Sequence, residues 1–321
     1  MVSIPGVSPL IMWIGFIALV FVFLFLDLGL FNKKKHAPSI KEALIWTGIW
    51  ISMSLLFNIF IWTQFGGHVG LQFLGGYLLE KALSVDNIFV IFLIFTHFKI
   101  PGKYQHKILF WGIIGALFMR GILIGAGTAL VSRFDWIFYL FGAFLIYSGI
   151  KMIFKKDEEF DPHDSKLVQF IHKIVPVSKD YKDGRMCIID KGKFAITILL
   201  VTLIVIEVSD LLFAFDSIPA IFGITTDPFI VFTSNIFAIL GLRSLYFVIA
   251  QIHDIFVYLN YGLSFILIFI GAKMILENFI HISLAISLGV VFLTLAISMI
   301  ASITLGPSKK KTIKPTDDFP F

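Results

Sequence analysis

Long apolar windows separated by short polar stretches run the whole length of the chain. They fall near residues 8–31, 41–63, 70–96, 107–131, 135–154, 194–217, 228–250, 258–276 and 283–305. A helix needs about 20 apolar residues to cross a bilayer core. The pattern therefore predicts an all-α polytopic membrane protein with about nine transmembrane helices. The first window is expected to stay as a span and not to be removed as a signal peptide, because its apolar run is long and no basic region precedes it.

The composition agrees: 58% of residues are hydrophobic, 16% aromatic and only 15% charged, with a mean hydropathy of +0.93, far from the soluble range. A single cysteine, Cys187, excludes an intrachain disulfide and reads as a bystander in the most basic loop. The basic balance does not point to nucleic acid, since the Lys and Arg residues sit in short loops and form no patch on a soluble domain.

Those loops alternate in charge. Lys33, Lys34, Lys35 and Lys41 precede span two, Lys99, Lys103 and Lys107 follow span three, a dense set runs from Lys151 to Lys193, and Lys309, Lys310, Lys311 and Lys314 close the chain. The positive-inside rule then predicts an N-terminus outside and a C-terminus in the cytoplasm of a cell inner membrane. The one sizeable hydrophilic piece holds Asp161-Pro162, Pro176 and Asp183-Gly184, which read as turns. It gives a division into spans one and two (1–66), a first three-helix unit (67–154), a basic cytoplasmic loop (155–193), a second three-helix unit (194–277), and a last span with a basic tail (278–321).

The two units resemble each other. "EKALSVDNIFVIF" from Glu80 aligns with "DLLFAFDSIPAIF" from Asp210, which pairs Glu80 with Asp210, Asp86 with Asp216 and Asn87 with Ser217. At nearly the same offset Arg120 pairs with Arg243, and "LIYSGIKMIF" from Leu145 with "LIFIGAKMIL" from Leu267. Spans three to five thus repeat as six to eight. Three spans per unit is an odd number, so the second copy enters from the other side, the inverted-repeat pattern of secondary transporters whose substrate binds near the midplane.

Five acids, Glu80, Asp86, Glu207, Asp210 and Asp216, lie inside predicted spans. At roughly 2.5–3.5 kcal/mol each for a helix centre, together they cost about 12 kcal/mol, as much as the whole stability of a typical fold. The intramembrane cations Lys81, Arg120 and Arg243 offset three of the charges; protons or a divalent metal ion would offset the rest. Oxygen ligands without neighbouring thiolates favour Mg²⁺, Ca²⁺ or Mn²⁺, and Asn87, Ser209 and Ser217 add neutral oxygens.

Helix geometry places Glu207 and Asp210 on one face and Asp216 on another. Pro219, which clashes with the Phe215 carbonyl, predicts an unwound turn at Ala214 to Ser217. Plainer readings compete: Glu80 with Lys81, or one acid with Arg120 or Arg243, forms a bundle-holding ion pair; Asp27 pairs at the interface with Lys33 to Lys35; Lys151 and Lys273 snorkel from span ends. Asp86 and Asp216 fit this least, because they recur at equivalent positions. Enzyme motifs are missing: no Gly-x-Ser-x-Gly, no His-Glu-x-x-His and no P-loop.

At these residues the chain resembles the TerC family of integral membrane proteins, which includes the Alx-type manganese exporters and belongs with the LysE-like exporters. "FLDLGLFNKKKHAPSIKEAL", "LEKALSVDNIFVIF", "EVSDLLFAFDSIPAIFGITTDPFIVFTSNIFAILGLRSLYF" and "GLSFILIFIGAKMIL" carry the resemblance over nearly the whole chain. One departure is Ile198, where Thr-Pro-Leu is expected in place of Thr197-Ile198-Leu199. The resemblance implies Mn²⁺ efflux; the residues alone choose no ion among the hard divalents.

The reading is a non-enzymatic secondary transporter with no resident cofactor. It exports a divalent cation held by Glu80, Asp86, Asn87, Glu207, Asp210, Asp216 and Ser217, in exchange for protons, with Lys81, Arg120 and Arg243 as counter-charges. Its partners are the lipid bilayer, the metal ion and protons, and a homo-oligomer is compatible with the sequence. The competing readings are export of a cationic organic solute, or a membrane scaffold for tellurite or pH stress acting through partners.

Overall fold

Two long apolar helices, α1 (Pro9–Phe31) and α2 (Ile40–Phe65), open the chain in the computed structural model. It describes residues 8–31, 39–134, 136–154, 175–178, 184–190, 193–252, 258–277 and 279–305. Ser39 starts α2 by a reciprocal cap: its hydroxyl accepts from the Glu42 amide at 3.3 Å, and its own amide donates to the Glu42 carboxylate at 3.3 Å. Two donors that a helix start would orphan are thereby satisfied. Gly66, with φ +88°, turns the chain into α3 (Gly67–His97). α4 (Gly102–Arg133) and α5 (Trp136–Phe154) complete the first half.

Part of the basic loop is a small sheet, which the hydrophobic pattern did not predict. β1 (Val177–Ser178), β2 (Cys187–Asp190) and β3 (Lys193–Thr197) lie in the order β1-β3-β2, with β1 parallel and β2 antiparallel to β3. The predicted sixth span begins at residue 194, but Phe194 to Thr197 are strand. α6 (Ile198–Phe222) starts directly after it. Ile198 is therefore the first helical residue, where proline is readily tolerated, so the departure from Thr-Pro-Leu does not disturb the helix start. The Thr197 hydroxyl donates to the Arg185 carbonyl at 2.8 Å and ties strand and helix to the loop. Asp161-Pro162, the Asp27 pairing with Lys33 to Lys35 and the basic tail lie outside the described residues.

α6 runs unbroken through Pro219 to Phe222, against the predicted unwinding at Ala214 to Ser217. The proline removes the donor that would meet the Phe215 carbonyl, yet the helix continues through it to its end at Phe222. The break lies instead in the next span. α7 (Pro228–Ile239) is capped by Asp227, whose carboxylate accepts from Phe229 N at 3.0 Å and Ile230 N at 3.2 Å. It bends by 42° into α8 (Leu242–Ile252) across Leu240 and Gly241. Gly241 has φ +83°, and a Cβ there would lie 2.6 Å from Trp50, so both backbone and space require glycine.

α9 (Leu259–Leu276) and α10 (Leu284–Leu305) close the fold. Among the described residues seven helices are long and apolar enough to cross a membrane, and the bent pair α7 and α8 adds an eighth. α3, with 31 residues, has the length but carries Glu80, Lys81 and Asp86.

α3 packs against α2, α6 and α7, α4 against α6 and α7, and α5 along α9. The last pair is close: a Cβ on Gly271 would meet the Gly142 carbonyl at 2.5 Å, and one on Gly149 would meet the Ser264 carbonyl at 2.8 Å. Small residues permit such backbone approach within membranes. Under the offset that lays Leu145 on Leu267, Gly149 corresponds to Gly271 and Gly142 to Ser264, so the two contacts exchange into each other. Large apolar side chains on the outer faces of α1, α2 and α10, such as Phe21, Leu56 and Phe292, are exposed, as a lipid-facing surface should be.

Candidate functional site

Asp210 and Asp216 lie six residues apart on α6, which turns the second to a different face at about 100° per residue. Asp210 faces α4. There Arg120, fully buried, donates through Nη2 to Asp210 Oδ1 at 3.1 Å and through Nε to Asp210 Oδ2 at 3.4 Å. Its Nη1 donates to Asn235 Oδ1 of α7 at 2.6 Å and forms a buried ion pair with Glu80 Oε1 of α3. One guanidinium thus joins four helices and satisfies most of its five donors. Glu80 and Asp210, read from sequence as metal ligands, are here partners of Arg120.

Asp216 faces α5, where Ser148 donates its hydroxyl to Asp216 Oδ1 at 2.7 Å. Asp216 lines a cavity of about 60 Å³ together with Leu83, Asp86, Asn87, Phe213 and Ser217. Lys151, one turn from Ser148, is within electrostatic reach of Asp216. Two polar atoms at this cavity, Asn87 Oδ1 and Ser217 Oγ, are buried and accept from no group of the protein. Asn87 also belongs to the other cluster, since its Nδ2 donates to Asp210 Oδ1 at 3.5 Å.

Glu207 stands in a third place. Its carboxylate lies against Gly115 of α4, where a Cβ would collide with it, and its Oε2 is buried without a hydrogen-bond partner. The seven residues predicted as one metal site are therefore divided: Glu80 and Asp210 on Arg120, Asp86, Asn87, Asp216 and Ser217 around the cavity, and Glu207 against Gly115, within electrostatic reach of Asp210. Among the described residues no group of three or more His, Cys, Asp or Glu side chains is placed to hold a metal ion. The cavity has oxygen donors of the kind that hard divalent cations take, two of them carboxylates and the rest neutral.

Of the cations, Arg120 pairs with two acids as the sequence suggests, while two lysines meet backbone carbonyls. Lys81 donates to the Ala238 carbonyl at 3.2 Å, at the end of α7 beside the break. Lys273 does not snorkel: it is buried and donates to the Gly223 carbonyl at 3.3 Å, just past the end of α6. Each lysine meets the negative end of a helix, where a cation is favoured. Arg243 is buried on α8 and lies beside His106 of α4. Ser148 and Asn235 were missed from sequence, although Ser148 lies in the repeated segment from Leu145 and Asn235 in a segment that carries the resemblance; the available signal was a polar residue inside an apolar span.

A protein-family model described as the integral membrane protein TerC family matches residues 65–310. The chain is 45% identical to "Uncharacterized membrane protein STKORF319" of Myxococcus xanthus, over 99% of this chain and 98% of that protein. It is 44% identical to "Putative membrane-bound redox modulator Alx" of Photorhabdus laumondii, over 94% of this chain and 97% of the relative. The protein of that name from Escherichia coli (strain K12) is 43% identical, over 91% and 94%. No solved structure matches the chain.

Proposed function

The chain belongs to the TerC family of integral membrane proteins, and from that premise we propose that it exports a divalent metal cation, Mn²⁺ first among them, from the cytoplasm in exchange for protons. One observation carries this reading: Asp86 and Asp216, from equivalent positions of the two aligned segments, line a single cavity with Asn87 and Ser217. Carboxylate, amide and hydroxyl oxygens suit a hard cation. The two unpartnered oxygens suit it further, because a cation would satisfy them.

Size separates this from export of an organic solute. Small-molecule sites run to roughly 300–1,000 Å³, whereas about 60 Å³ suits an ion with a few waters. The two three-helix units, 67–154 and 194–277, act as inverted halves that rock about the cavity; the exchangeable contacts between α5 and α9 support that symmetry. Within this scheme the N-terminus is outside the inner membrane and the C-terminus in the cytoplasm. When the cation leaves, Asp86 and Asp216 keep charge balance by taking protons, and this supplies the exchange. Arg120 acts as a fixed counter-charge that holds Glu80 and Asp210 throughout the cycle. Export of a redox-active cation is one means by which a membrane carrier would act as the redox modulator named among the relatives.

The test is Mn²⁺ efflux from preloaded proteoliposomes under an imposed pH gradient. The intact protein should release Mn²⁺, and Asp86→Asn and Asp216→Asn, folded and inserted, should not. An intact protein inert toward Mn²⁺, Ca²⁺ and Mg²⁺ would overturn the reading.

A further inference from the structure

Three oxygens on α3 accept from no group of the protein: Glu80 Oε2, Ser84 Oγ and Asn87 Oδ1. Their residues are 0%, 0% and 4% exposed. Spacing of i, i+4 and i+7 puts them on one stripe of the helix, about 10 Å long at 1.5 Å per residue. Buried polar atoms without partners are rare in folded proteins, and each one asks for an explanation.

Ser84 departs from the habit of this fold. Thr47, Ser54, Thr202, Ser209 and Ser264 all turn their hydroxyls back to the carbonyl four residues earlier, at 2.7–2.9 Å. That is the ordinary way for a helical hydroxyl in an apolar setting to be satisfied. Ser84 makes no such bond, and neither do Ser217 at the cavity and Thr128 of α4.

The stripe joins the two polar regions. Asn87 lines the cavity with Asp86 and Asp216, and its amide nitrogen is engaged by Asp210, which leaves its oxygen for a cation. At the other end Glu80 gives one carboxylate oxygen to Arg120 and keeps the other open. Arg120 is shared by Glu80 and Asp210, and Lys81 lies within electrostatic reach of Glu80, so what a cation meets at this end is the open Glu80 oxygen and not a net charge.

We propose that this stripe is the route of the transported divalent cation between the Asp86 and Asp216 cavity and Glu80, with Ser84 as an intermediate ligand. The proposal rests on the export reading. It makes Ser84 a residue of transit and not of cavity binding.

Mn²⁺ flux through proteoliposomes and Mn²⁺ binding in detergent test it, in a Cys187→Ser background that removes the chain's one cysteine. Ser84→Ala should bind Mn²⁺ as the parent does and pass it about tenfold more slowly, the effect of one lost contact of about 1.4 kcal/mol. Ser84→Cys should carry Mn²⁺ and be blocked by Cd²⁺, with excess Mn²⁺ protecting. If Ser84→Ala transports at the parent rate and Ser84→Cys ignores Cd²⁺, the stripe is satisfied by ordered water alone and the route is wrong. A parent inert toward every divalent cation overturns the export reading itself, and the route with it.

Discussion

The two polar regions share α3 and α6, stand within two helical turns of each other, and are built in opposite ways. Around Arg120 the acids are met by a buried guanidinium, with Asn235 completing the set. At the cavity Asp216 is met by a hydroxyl, and the oxygens of Asn87 and Ser217 remain open. The difference lies less in the acids than in the third helix that each one faces: α4 presents Arg120, α5 presents Ser148. A six-residue step along α6 decides which of the two an aspartate meets. Around Arg120 the charges are closed by a counter-charge, whereas at the cavity two neutral oxygens are left open.

Breaking the brace should have the largest effect. Arg120→Leu leaves Glu80 buried and Asp210 partly buried without their partner and should destabilise the protein by about 3–5 kcal/mol, read as a lower unfolding midpoint in micelles; an unchanged midpoint would remove the brace from the account. Gly271→Ala forces a methyl group onto the Gly142 carbonyl and should cost about 1–3 kcal/mol, seen in the same assay. Lys273→Met takes a cation from the end of α6 and should cost about 1 kcal/mol, with Mn²⁺ binding unaltered. The smallest change belongs to the cavity: Ser148→Ala should alter apparent Mn²⁺ affinity by less than about tenfold and scarcely alter the unfolding midpoint. A collapse of stability in that variant would make the cavity a second brace.

Much of this was legible in the residues. Apolar windows located the long helices because bilayer thickness imposes a minimum length on them, and acids inside those windows drew attention to α3 and α6 because burying charge is costly. The failures have physical causes. β3 was read as the start of a span because Phe194, Ala195 and Ile196 continue an apolar run, and no periodicity separates a five-residue strand from a helix start. Pro219 suggested a break that α6 does not have, since the helix absorbs the one lost donor and runs on to Phe222. The true break at Gly241 sits in "AILGLRS", where a lone glycine gives a weak signal until its φ and the Trp50 contact are seen. Lys273 was expected at the interface because span ends favour snorkelling; only the fold reveals that the Gly223 carbonyl lies within its reach. The grouping of the acids depended on neutral partners from other helices, Ser148 and Asn235, which no spacing within α3 or α6 encodes.

The central claim is the division of labour between brace and cavity. Mn²⁺ itself can report on it, through the free-ion spectrum lost on binding in an electron paramagnetic resonance titration of the purified protein. The account predicts that the intact chain and Glu80→Gln bind Mn²⁺ with similar affinity, while Asp86→Asn and Asp216→Asn each lose it. Retained binding in Asp216→Asn together with lost binding in Glu80→Gln would contradict it, and would move the ion from the cavity to the Arg120 cluster.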